Sequence, residues 1–200
     1  MNPSDEIQPV VLRFQPVLRQ ISERALLEFC EVNETWQFEL TSDGDLEILP
    51  LPGAAHGQTN AKLIVHVGIW AEEDGTGIPF GPLTGFRLPN GALRAPDIAW
   101  VMHERWEALS EEEREGFVPF CPDFVIELRS YFDGIERLQA KMHEYIENGT
   151  QLGWLIDPRK KKVYVYRPDL SVEELDEPET LSGAPLLKGF VLPMAKFWQK

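Results

Sequence analysis

Two hundred residues suffice for one well-buried domain and leave little for a second. With 43% hydrophobic and 26% charged residues the composition is that of an ordinary globular chain, and no stretch approaches the roughly 20 apolar residues of a membrane span. Nineteen basic residues against thirty-three acidic ones give a net charge of −14, which argues against tight non-specific binding of nucleic acid.

The start, "MNPSDEIQPVVLRFQ", lacks a basic segment leading into an apolar core, so no secretory signal is expected. Cys30 and Cys121 are isolated, without CxxC or zinc-like spacing, which suits core thiols in a reducing cytoplasm. Residues 9–18 read as extended, broken by Pro16. Ser22 is placed to cap a helix to about residue 33, with Ile21, Ala25, Leu26, Phe29 and Cys30 on one stripe. "WQFELT" and "DLEILPL" flank "SDG", a hairpin signal, and residues 53–57 read as a loop.

A helix is predicted over about 59–74, since Leu63, Ile64, Val67, Trp70 and Ala71 recur at helical spacing and Gly75 can end it. "GFRLPNGALRAPDIAWV" reads as strand, Asn-Gly turn, strand, and Ser110 with Glu113 forms a capping box for a short acidic helix. "FVIEL" is a buried strand. Asp133 with Glu136 suggests a second box, opening a helix to about residue 148 whose stripe is Ile135, Leu138, Met142, Tyr145 and Ile146. "LGWLID" and "KVYVYR" are two further strands around a "PRKK" turn, and an acidic tail carries "LLKGFVLPMAKFW" as a last packed segment. The order predicts one α/β (mixed α+β) domain over 1–200, with a central mixed β-sheet flanked by helices. Its parts are an N-terminal strand and helix over 1–35, a core over 36–168 and a C-terminal segment over 169–200.

Two acids stand in apolar strands, where an unpaired charge costs several kcal/mol: Asp97 in "PDIAWV" and Glu127 in "FVIEL". On adjacent strands they converge and repel unless a divalent cation neutralises them, and Mg²⁺ or Mn²⁺ suits such oxygen ligands. Lys141 falls at the edge of its helix's buried stripe, roughly 40° from Tyr145, so its stem can reach the strand ends. Plainer readings stand beside these. Glu127 pairs with Arg129 or Lys141, Asp97 is a turn residue after Pro96, and Lys141 snorkels at the surface. Asp133 reads as an N-cap and Asp157 as a turn acid, and the four histidines show no metal spacing. The basic run "PRKKKVYVYR" leaves a local positive patch open. No glycine-rich phosphate loop and no G-x-S-x-G elbow occur.

"RAPDIAWV", "CPDFVIELRS" and "LQAKMHEYIENGTQLGWLIDP", together with "DGDLEILP" and the "GFRLPNGALRAPD" hairpin, resemble a restriction-endonuclease-like family of the PD-(D/E)XK nuclease superfamily. It is the branch of small bacterial proteins whose motif lysine has moved to the following helix, and the likeness spans roughly 30–168. The resemblance implies a restriction-endonuclease-like core, Asp97 and Glu127 as metal ligands, and Lys141 as the displaced lysine. It also implies Glu39 as a further acid nearby. Dimers are common in the family, whose substrate is for most members not established. Mg²⁺ or Mn²⁺ as cofactor, DNA as substrate and a homodimer are the expectations for this chain. Where the family reads S-P-S-D after the acid, this chain has Ser130-Tyr131-Phe132-Asp133. The two aromatics narrow the pocket, offer a stacking surface for a base, or mark drift away from catalysis. Arg129 stands where the superfamily motif has lysine; it cannot shuttle protons but can bind phosphate in a bidentate way. The expected function is Mg²⁺-dependent phosphodiester hydrolysis; the rivals are an inactive binding or assembly module on the nuclease fold, and a nuclease that borrows its substrate contacts from a partner.

Overall fold

The computed structural model describes residues 9–13, 22–33, 36–131 and 133–198. The readings made at Pro16, Ile21 and Phe132 lie outside these residues. Two principal sheets form. The first is an antiparallel sheet in the order β1-β3-β2-β6-β5, built from β1 (Val10–Leu12), β2 (Gln37–Leu40), β3 (Leu46–Leu49), β5 (Phe86–Arg87) and β6 (Leu93–Arg94). The second is mixed, in the order β11-β10-β9-β8-β7-β4. Its strands are β4 (Gly77–Phe80), β7 (Ile98–Met102), β8 (Phe124–Leu128), β9 (Leu152–Asp157), β10 (Lys162–Tyr166) and β11 (Glu173–Asp176). Within it β8 and β9 run parallel and the other pairs antiparallel.

Helices α1 (Glu23–Val32), α2 (Ala54–Asp74) and α5 (Ile135–Glu147) are the longer ones; α3 (His103–Glu107) and α4 (Glu111–Glu115) are single turns. Parallel strands need a crossover, and α5 supplies it between β8 and β9. The mixed sheet is covered on both faces. Leu63, Val67 and Ala71 of α2 pack on Ile98, Trp100, Phe124 and Ile126, joined by Leu187, Phe190 and Met194 from the last packed segment. Opposite, Leu138, Met142 and Tyr145 of α5 pack on Ala99, Val101, Val125 and Leu155. Double coverage explains why "FVIEL" is buried at all five positions. No helix among the described residues is long and apolar enough to cross a membrane.

The Ser22 cap, the Ser110–Glu113 capping box and the left-handed cap at Gly75 (φ 68°) are formed. So is the Asn-Gly turn, where Gly91 takes φ 90° and the Gly91 N–H bonds to the Leu88 carbonyl. Three local readings are corrected. Residues 54–57 belong to α2, which begins five residues earlier than its apolar stripe suggests. The strand expected after the Asn-Gly turn is two strands, β6 in one sheet and β7 in the other, with Ala95-Pro96-Asp97 carrying the chain between them. The N-cap of α5 is Gly134, not Asp133. The basic run meets acids: Lys161 pairs with Glu177 (2.5 Å), Lys162 with Glu174 and Asp176, and Arg167 with Glu173 (3.3 Å), because β11 lies antiparallel to β10.

Candidate active site

Strand register brings the two acids together. Ile98 lies opposite Ile126, so the next position outward sets Asp97 against Glu127. Side chains alternate along a strand. Ala99, Val101 and Val125 face α5, and by the same parity so does Glu127, whereas Asp97, one residue before β7, is met by side chains from the start of α2. The Leu128 N–H donates to Asp97 Oδ2 at 2.8 Å, locking the start of β7 to the end of β8. Asp97 is thus more than a turn residue after Pro96.

Lys141 reaches this point from α5 with only 7% of its surface exposed, so it does not snorkel to solvent. Its Nζ lies 2.7 Å from Glu39 Oε1 and 2.8 Å from Glu127 Oε1, and the Tyr145 hydroxyl donates to Glu127 Oε1 at 3.0 Å. Of the two cations considered for Glu127, Lys141 is the one in contact. Arg129 instead donates through Nη1 to Asp157 Oδ2 (2.8 Å) and through Nε to the Asp133 carbonyl (3.0 Å). Asp157 also accepts the Arg159 and Lys160 N–H groups, as a turn acid does.

Glu39, on β2 of the other sheet, is fully buried. It accepts from Lys141 and from the Ala95 N–H (3.1 Å) through Oε1, and from Arg94 Nη1 (3.1 Å) through Oε2. Arg94 continues to Glu47 (2.7 Å) and Glu144 (2.6 Å). Burial pushes the Glu39 carboxyl up, but the Lys141 and Arg94 charges outweigh it and hold the group below its ordinary value. Glu127 shifts the other way. Burial raises it, the pull of Lys141 is offset by the Asp97 and Glu39 charges, and the group is pushed up to about 7. Lys141 pays for burial too, yet Glu127 and Glu39 together keep it protonated.

Two further side chains hold Asp97. His56 Nε2 is 3.1 Å from Asp97 Oδ1, and Asn60 Nδ2 donates to the same oxygen at 2.7 Å. Burial alone would lower the His56 pKa; its hydrogen bond to Asp97 and the Asp97 charge raise it. His56 Nδ1 is buried without a hydrogen-bond partner. Sequence reasoning gave this histidine no chemistry because the four histidines show no metal spacing, and residues 53–57 read as a loop. With the helix extended to residue 54, the i, i+4 spacing of His56 and Asn60 places both on one face, which is the signal that was there to find. Asp133 accepts the Ser130 N–H (2.9 Å) and lies 3.4 Å from Arg137 Nη2.

Asp97, Glu127, Lys141, His56 and Asn60 line one cleft of about 560 Å³, with Glu39 set behind Lys141 and off the lining. Among the described residues no group of three or more His, Cys, Asp or Glu is arranged to hold a metal ion. An ion here would have two carboxylates and complete its shell with water, a donor set that fits Mg²⁺. The charge count fits as well. Four carboxylates (Glu39, Glu47, Glu127 and Glu144) share two permanent cations, Arg94 and Lys141, with Asp97 beside Glu127, while Arg129 and Arg137 on the same cleft are paired with Asp157 and Asp133.

The family model Uma2, described as "Putative restriction endonuclease", matches residues 24–195. Among solved structures, a protein from Anabaena variabilis ATCC 29413, titled "putative nuclease belonging to DUF820", superposes with a TM-score of 0.67 at 23% identity, covering 84% of this chain and 90% of that one. That likeness establishes the fold, a mixed sheet flanked by helices. No functionally curated protein matches the chain significantly.

Proposed function

This chain belongs to the Uma2 family of "putative restriction endonucleases", and from that premise we propose that it hydrolyses phosphodiester bonds of DNA with a divalent cation at Asp97 and Glu127. The observation that carries the reading is the uncompensated charge beside the cleft. Glu127 is set against Asp97 and shares Lys141 with Glu39, and burial, together with the Asp97 and Glu39 charges, pushes its carboxyl up to about 7 against the pull of that one lysine. A structural ion pair needs no such deficit; a site that takes up a cation does.

When bound, Mg²⁺ or Mn²⁺ supplies Lewis-acid neutralisation of the phosphate and makes water more acidic. The protein's own groups do the rest. Asp97 and Glu127 hold the ion, Asp97 being fixed by His56, Asn60 and the Leu128 N–H. Lys141 stays charged, so it acts as a cation and not as a base. Two of its three donors go to Glu39 and Glu127, and the third is left to bind a phosphate oxygen. Glu39 positions Lys141 and does not meet substrate. Arg129, held by Asp157, lines the cleft as an accessory phosphate contact.

Incubation with plasmid and single-stranded DNA in Mg²⁺ or Mn²⁺ tests the reaction. Wild-type protein cuts, and Lys141→Ala reduces cutting to background. If wild type cuts neither substrate, the chain is an inactive binding or assembly module on the nuclease fold, and the proposal fails.

A further inference from the structure

The lips of the cleft have a chemistry that phosphodiester hydrolysis does not require. Trp36 (57% exposed), Leu51 (83%), Leu83 (72%) and Tyr131 (51%) come from four separate segments, and all line the cavity that holds Asp97 and Glu127. Single exposed apolar side chains are ordinary; several large ones on the rim of one cavity mark a binding surface. Leu83 takes φ 75°, a left-handed conformation that a leucine rarely adopts, in the loop that presents it to the rim. The Arg159 guanidinium lies over the Tyr131 ring, 4.1 Å from its centroid.

Electrostatics decides what suits these lips. Duplex DNA is gripped mainly through its phosphates, by open rows of Lys and Arg. Here the chain carries −14, and three cations of its basic run are neutralised by Glu173, Glu174, Asp176 and Glu177. A second copy of the chain would bring another −14 against a chain that already carries the same net charge. A volume near 560 Å³ is that of a site for a small molecule, enough for a nucleotide or two. Unpaired bases suit these lips, because each offers a π-face to an aromatic side chain whatever its sequence, while Arg129, Arg137 and Lys141 on the lining meet the few phosphates that such a cleft admits.

We propose that the cleft accepts an unpaired nucleic-acid strand, its bases stacked on Tyr131 and Trp36 and flanked by Leu51 and Leu83, an inference that rests on the phosphodiesterase reading. Arg159 steadies the Tyr131 ring and adds its charge beside the stacked base.

Fluorescence anisotropy with a labelled oligothymidylate and with a duplex of equal length, in Ca²⁺ to suppress cutting, tests the assignment. The single strand is expected to bind at least tenfold more tightly. Trp36→Ala and Tyr131→Ala should each weaken single-strand binding at least fivefold, with little change for duplex. Both side chains are exposed, so folding is not at stake. Equal affinity for the two forms, no binding of either, or wild-type affinity in both variants overturns the inference. A fall in particle mass on sedimentation of the variants, with affinity unchanged, would mean the lips hold a second copy and overturns it too. Cutting in Mg²⁺, measured alongside, keeps the two ideas apart. Single-strand preference without cutting supports the lips and contradicts the reaction; duplex cutting without that preference does the reverse.

Discussion

Glu39 and Glu127 share one lysine, and their surroundings teach opposite lessons. Around Glu39 every charge is answered: Lys141 and the Ala95 N–H meet one oxygen, Arg94 the other, and Arg94 in turn holds Glu47 and Glu144. Around Glu127 the same Lys141 is the one ion-pair partner among the described residues, while Asp97 stands opposite with a like charge. Both carboxyls are buried, yet one is held below its ordinary value and the other is pushed up to about 7. Burial therefore does not set the direction of the shift; the balance of charge around the carboxyl does.

The contrast can be broken at several points. Arg94→Met removes the cation that Glu39, Glu47 and Glu144 share and leaves Glu39 with Lys141 as its one ion-pair partner, so denaturant unfolding should show a loss on the order of 3–5 kcal/mol. Glu39→Gln, which keeps the shape but not the charge, should cost roughly 1–3 kcal/mol by the same measurement. Glu127→Gln should have the opposite sign. A carboxyl whose folded pKa is raised contributes stability at acid pH that is lost as pH rises through about 7. The amide suffers no such loss, so in chelator the variant should be the more stable at pH 8, and the gain should vanish by pH 5. A Glu127→Gln variant less stable than wild type at pH 8 would mean that the lysine suffices and the deficit is not real. The smallest effect concerns the support of Asp97: His56→Ala should weaken divalent-ion binding about 10- to 100-fold while leaving the fold intact, as circular dichroism and calorimetry can check.

Much of this was legible in the chain. Glu127 declared itself because a charge in the middle of "FVIEL" has no ordinary reason to be there, and the helical wheel of α5 put Lys141 beside the buried stripe. The family resemblance added Glu39. What stayed hidden depends on non-local pairing. Nothing in "GTGIPFG" announces that β4 forms the edge of the mixed sheet beside β7. Gly57 disguised the first turn of α2 and with it His56 and Asn60. The partner of Arg129 came from Asp157, and parallel pairing of β8 with β9, which sets Leu128 opposite Ile156, brings the two within reach. The positive patch open at 158–167 is reduced, because the acidic segment after it folds back as β11 and meets Lys161, Lys162 and Arg167.

Calorimetric titration with Mg²⁺ is the most direct measurement of the charge deficit at the cleft. Wild-type protein should bind one ion, and Asp97→Asn and Glu127→Gln should each bind none while remaining folded. Unaltered Mg²⁺ affinity in both variants would contradict the account, for the two acids would then be no more than a strand-end pair settled by Lys141.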